Sequence, residues 1–81
     1  MSYTPENFAE LDVLMLYNLS TNQEGIKIHK TAEPTVISAA QRLFERGFTT
    51  RADGGYLTAL GSKAAEHTQT LFTMLNAHSE V

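Results

Sequence analysis

Cysteine is absent from the chain, which rules out disulfides and thiolate chemistry and fits a reducing compartment. No apolar run approaches the roughly 20 residues that a membrane-spanning helix needs. The opening MSYTPENF has no basic stretch leading into an apolar one, so no secretory signal is expected. These absences predict a soluble cytoplasmic protein with no membrane partner. Repeats, low-complexity tracts and linkers are missing as well. The 81 residues therefore make one domain, 1–81, with 1–3 and 78–81 expected to fray. A chain of this size buries only about 60% of its unfolded surface. Its 42% hydrophobic content supplies a core with little to spare.

Motifs that carry chemistry are equally scarce. His29, His67 and His78 have no His-x-x-x-His spacing and no acid doublet nearby, so no metal site is expected. Asp53-Gly54-Gly55 is a turn and not a phosphate loop, since no Gly-rich run leads into a helix with Lys-Ser or Lys-Thr. Ser20, Ser38 and Ser62 lack both an elbow and a base. With no nucleophile, base and oxyanion donor to assemble, the sequence predicts neither an enzyme nor a cofactor. Cations are few. Six against nine acids leave a net charge of −3, the wrong overall sign for a nucleic-acid binder.

What is present is organised around residues 34–60. Val36, Ile37, Ala40, Leu43 and Phe44 keep the i, i+3, i+4, i+7 rhythm of one helical face, with Thr35, Ser38, Gln41, Arg42, Glu45 and Arg46 opposite. Thr31 is the expected N-cap, Pro34 suits the first turn, and Gly47 is a stop signal, giving a helix over about 32–46. Phe48, Thr49 and Thr50 then face Tyr56 and Leu57 across Asp53-Gly54-Gly55, a short β-hairpin over about 48–58. Thr58 caps a last helix over about 59–77.

Ahead of this unit, Thr4-Pro5-Glu6 starts a helix over about 5–19. Phe8, Leu11, Met15 and Leu19 form one stripe, and Val13, Leu14, Leu16 and Tyr17 fill most of the remaining arc. A helix apolar nearly all round is buried nearly all round. Two other helices cannot cover it on both sides, which points to a subunit interface. Residues 20–25 read as a polar turn. In IKIHK, residues 26–30, Ile26 and Ile28 face inward and Lys27 and His29 outward. That segment is a short strand or a stunted second helix, and the alternation favours the strand. The whole is mainly α with a small β-hairpin, the architecture of a winged helix.

The segment LFERGFTTRADGGYLTALGSKAAEH resembles the recognition helix, wing and following helix of winged helix-turn-helix regulators of the multiple-antibiotic-resistance-repressor and phenolic-acid-repressor types. It shares their leucine-x-x-arginine-glycine, wing and leucine-threonine-x-x-glycine pattern, over the middle third of the chain. The whole chain also resembles a small bacterial winged-helix family of about this length. The first resemblance implies double-stranded DNA as partner and a role in transcription regulation. It also implies a full helix between the first helix and the recognition helix, and here only about eleven residues are available.

Two sets of candidate residues follow. On the DNA reading, Thr35, Ser38 and Arg42 approach base edges, Arg46 a phosphate and Arg51 a minor groove, with Lys27 and Lys30 flanking. Positions 27–63 hold all six cations against Glu33, Glu45 and Asp53, a local balance of +3. The competing reading is a winged-helix protein-interaction module without nucleic-acid binding, favoured by the acidic total and the missing helix. In either case a homodimer is expected through Phe8, Leu11, Met15, Leu71, Met74 and Leu75. His67 lies at the edge of that seam.

Overall fold

A computed structural model describes residues 1–21 and 24–77. Asn22 and Gln23 of the polar turn, His78 and the expected frayed end 78–81 lie outside the described residues. Three helices and a three-stranded antiparallel sheet make a winged helix.

Helix α1 (Pro5–Leu14) starts with a reciprocal cap. The Asn7 N–H donates to Thr4 Oγ1 and the Thr4 N–H to Asn7 Oδ1, both at 3.1 Å, so two otherwise orphaned donors are satisfied. The helix ends five residues earlier than the expected 19, and its far end explains why. Gln69 Nε2 donates to the carbonyls of Leu14 (3.2 Å) and Tyr17 (2.8 Å), which a longer helix would have kept for itself. Asn18 Oδ1 also accepts from the Ser20 N–H at 3.0 Å, a local bond that competes with helix. Unwinding there carries Tyr17 into the interior.

Strand β1 (Ile26–Lys27) is short but real, with Ile26 half-buried and Lys27 exposed. After it comes a single turn, closed by the Ala32 N–H on the His29 carbonyl at 3.0 Å. That turn is all that stands where the resemblance implies a helix. Helix α2 (Pro34–Glu45) is capped at Glu33, with no side-chain bond, and not at Thr31. Proline forces the residue before it out of the helical region, so the helix begins at Pro34 itself. Gly47 ends the helix with a φ of +85°.

Strands β2 (Thr49–Arg51) and β3 (Gly54–Leu57) form the wing, turning at Ala52 and Asp53, and the sheet order is β1-β3-β2. Gly54 has φ +117°, and a Cβ there would press on Ile26 of β1 at 2.8 Å. Only glycine lets the three strands close at that point. Helix α3 (Ala59–Asn76) is capped by Thr58, whose Oγ1 accepts from the Gly61 N–H (3.0 Å) and donates to the Gly47 carbonyl (2.6 Å). At Gly61 the helix comes so close to the strand that a Cβ would overlap the Phe48 carbonyl. The shared leucine-threonine-x-x-glycine string (Leu57, Thr58, Gly61) is thus a cap followed by a close approach. Val13, Leu14, Ala39, Leu43 and Ala65 make the core, its alanines letting the helices draw near.

Candidate functional site

Of the two cations at α2, Arg42 is largely covered, and Arg46 at the C-cap is more than half exposed. The most solvent-facing stripe of α2 is Pro34, Ser38, Gln41 and Glu45, all exposed and spaced as one helical edge. That stripe contains no cation, and Gln41 Nε2 donates to Glu45 Oε2 at 3.3 Å. Arg42 and Arg46 sit to one side, against α1. Arg42 Nε donates to Glu10 Oε2 at 2.7 Å and its Nη2 to the Glu6 carbonyl at 3.4 Å. Arg46 Nη1 reaches both Glu10 oxygens at 3.4 and 3.5 Å. Thr35 and Ser38 share a shallow cleft with Pro5, Glu6, Ala9, Pro34 and Arg42.

Glu10 is 7% exposed and accepts also from Asn7 Nδ2 at 3.3 Å. Burial pushes its carboxyl up. The hydrogen bonds from Arg42 and Asn7, with the charges of Arg46 and Arg42, outweigh that and hold it below the usual 4.5. Neither Glu10 nor Gln69 is among the residues singled out from the sequence. The signal for Glu10 is its spacing, since Glu10, Val13, Leu14 and Tyr17 form one i, i+3, i+4, i+7 stripe, and that stripe is the buried one. An acid there needs a cation from another element, and Arg42 supplies it.

Three of the other four cations lie on or next to the sheet, and Lys63 is on α3. Lys27 on β1 and Arg51 on β2 both pair with Gly54, so they flank the same point of β3. Arg51 Nε lies 3.8 Å from Asp53 Oδ1 and is mostly exposed. Lys30, in the turn before α2, is exposed, and among the described residues neither Lys27 nor Lys30 has an ion-pair partner. A cleft of about 260 Å³ opens beside them, lined by Ile28, His29, Lys30, Ile37, Ala40, Gln41, Ala52 and Asp53. The Ile28 N–H donates to the Asp53 carbonyl at 2.8 Å and fixes one wall.

The third surface lies between α1 and α3. Phe8, Leu11 and Met15 from one helix face Leu71, Phe72 and Leu75 from the other across an open apolar groove, with Asp12 its one charged lining residue. Met74 does not line this groove; it lines a separate cleft with Leu19, Glu66, Gln69, Thr70 and Thr73. Phe8, Leu71, Phe72, Met74 and Leu75 are between 38% and 75% exposed. Five of the six residues expected at a subunit interface line this one groove, and Met74 does not. His67 is exposed on the outer side of α3.

Among the described residues, no helix is long and apolar enough to cross a membrane, and no group of His, Cys, Asp or Glu is placed to hold a metal ion. Tyr17 is buried, and its hydroxyl has no hydrogen-bond partner among the described residues; burial, with the charge of Asp53, pushes it up to about 12. Compared with known families, the chain matches over residues 1–76 the family of unknown function DUF5669, and it belongs to that family. No match is found among curated proteins or among solved structures.

Proposed function

For this member of DUF5669 we propose a winged-helix protein-interaction module that works as a homodimer, its copies joined through α1 and α3. The apolar strip between those helices carries the reading. Phe8, Leu71, Phe72 and Leu75 are 38–75% exposed and leave on the order of 400 Å² of the groove uncovered per protomer, within the range of the largest, often functional, patch on a monomer. It is about half of the roughly 800 Å² that one side of a standard interface buries. A second copy brings the same strip, so the contact is self-complementary about a two-fold axis. Asp12 is the one charge on the groove wall.

Reading of DNA sequence through Thr35, Ser38, Arg42 and Arg46 has less support. Freeing Arg42 for a base edge would take from the buried Glu10 its shortest partner and leave it only the longer contacts of Arg46 and Asn7. The outward stripe of α2 would bring Glu45 toward phosphates. Wing cations favour a weaker, sequence-independent contact with duplex DNA through Lys27, Lys30 and Arg51.

Sedimentation velocity between 1 and 100 μM (about the range where modest dimers dissociate) tests the dimer. A dimer that Leu75→Asp converts to a folded monomer supports the reading. A wild-type monomer throughout overturns it. Retention on random-sequence duplex at low salt, lost in Arg42→Ala, would instead restore the base-reading helix.

A further inference from the structure

The groove between α1 and α3 continues onto the outer ridge of α3. Leu60, Ala64, His67, Leu71 and Met74 follow one another at intervals of four, three, four and three residues. At about 100° per residue they lie within roughly a quarter of the helix circumference. The buried Gly61 and Ala65 lie about a third of a turn away, so this ridge is not the face that meets the core. Leu60 is 53% exposed, Leu71 38% and Met74 69%, and His67 is exposed. Ala64 alone of the five is half-buried. Such spacing is the seam pattern of a helix that pairs with another helix. Leu71 belongs to both surfaces, so ridge and groove are continuous.

The ridge makes good a shortfall. Leu60 and Met74 add on the order of 200 Å² to the groove's apolar area, which raises the total to about three-quarters of the roughly 800 Å² that one side of a standard interface buries. A second copy of α3 fits the ridge, and the side-chain sizes choose its direction. Run parallel in register, the helices would set His67 against the partner's His67 and Ala64 against the partner's Ala64. One layer would be crowded and the next left with a void, which close packing disfavours. Run antiparallel, they set Leu60 against the partner's Leu71 and Ala64 against the partner's His67. The large ring then meets the small methyl. Both pairs are centred between Ala65 and Glu66, so a single two-fold axis there makes all four contacts at once. Lys63 and Thr70, both exposed, flank the ridge on one side. His67 is the seam's one polar member, and a lone polar residue in such a seam favours one register over its alternatives.

We propose that α3 packs antiparallel on the partner's α3 through this ridge, with Leu60 on the partner's Leu71 and Ala64 on the partner's His67. The inference rests on the homodimer reading and adds the direction and register that the groove alone leaves open. Each groove then opens beside the start of the partner's α3.

A chain with no native cysteine makes the test direct. Leu60→Cys and Leu71→Cys are prepared as single-site chains, one with a mass tag, and mixed in oxidised glutathione. A disulfide needs Cα atoms within about 7 Å. The mixed product is expected to exceed either self-linked product roughly five-fold, because identical positions lie about 16 Å apart along the paired helices. Leu60→Asp, at an exposed position outside the groove, is expected to weaken the dimer roughly ten-fold in sedimentation and to leave the Tm of the dilute chain unchanged. Self-linked products in place of the mixed one, or no mixed product from a chain that sediments as a dimer, overturn the proposal and leave the groove alone as the seam. A dimer that survives Leu60→Asp at wild-type affinity does the same. A wild-type chain that stays monomeric up to about 100 μM takes down the homodimer reading as well, so the two failures are told apart.

Discussion

Helices α1 and α2 touch along most of their length and are built on opposite plans. In α2 the buried residues Ala39, Ala40 and Leu43 lie on one side and most polar residues face solvent, so this chain covers its main apolar side and leaves Phe44 exposed. In α1 the inner side contains a carboxylate, Glu10, among Val13, Leu14 and the nearby Tyr17, while the outer side is Phe8, Leu11 and Met15. One of its three acids is inside, while Phe8 is uncovered and Leu11 and Met15 are only half-covered. A helix with two interiors but one covered face is half of a contact. The contrast accounts both for the ion pair that holds the arginines and for the strip left open.

The largest expected effect breaks the inner side of α1. Glu10→Ala removes the carboxylate and leaves Arg42, about a quarter exposed, and Arg46 without their partner. Loss of one member of a fully buried pair costs about 3–5 kcal/mol, and with Arg42 partly in water we expect about 2–3 kcal/mol from urea unfolding. The pair also sets a pH dependence. The folded carboxyl titrates below its unfolded value, so between the two the unfolded chain binds more protons and stability rises with pH. Its contribution is complete above the ordinary glutamate range and is lost as pH falls through the depressed folded value. Glu10→Gln should flatten that acid limb. An unchanged limb would mean that Glu10 is not engaged and that the two sides of α1 differ less than described.

A smaller effect is expected on the outer side. Phe8→Ser removes an exposed ring, so the dilute chain should change by less than about 1 kcal/mol. What should vanish is the dependence of Tm on protein concentration, because a folded dimer is stabilised by mass action. If Phe8→Ser unfolds the dilute chain, the ring belongs to this chain's own core and the comparison collapses.

Much of this was legible in the residues and some was not. Local chemistry with a short reach was readable: the Thr4 and Thr58 caps, the Gly47 stop, the glycines of the wing and the alternation at Ile26 and Ile28 each act within a few residues. The end of α1 was not, because it is set by Gln69, more than fifty residues away. Glu10 and Arg42, thirty-two apart, are the same case. Charge counting grouped Arg42 and Arg46 with the other cations, whereas a single carboxylate from another helix pairs with both and covers most of Arg42. The apolar strip was readable because an excess of apolar residues on α1 has no other explanation in so short a chain.

The smallest effect at neutral pH concerns Tyr17, where the inner side of α1 carries a cost without a visible return. Its hydroxyl is buried with no hydrogen-bond partner among the described residues. Tyr17→Phe keeps the ring and removes the unsatisfied group, so at pH 7 stability should stay level or rise by up to about 1 kcal/mol. Alkaline pH separates the two chains. Ionisation near 10 in the unfolded state against about 12 in the folded one means that the folded state holds the proton longer. Stability conferred by the hydroxyl form is therefore complete below about 10 and is lost as pH rises through that interval, by roughly 2 kcal/mol. The phenylalanine variant lacks that loss, and urea midpoints at pH 7, 10 and 11.5 would display it. A Tyr17→Phe chain weaker by more than 1 kcal/mol at pH 7 would mean that the hydroxyl is bonded after all, and that the inner side of α1 is as well satisfied as any ordinary core.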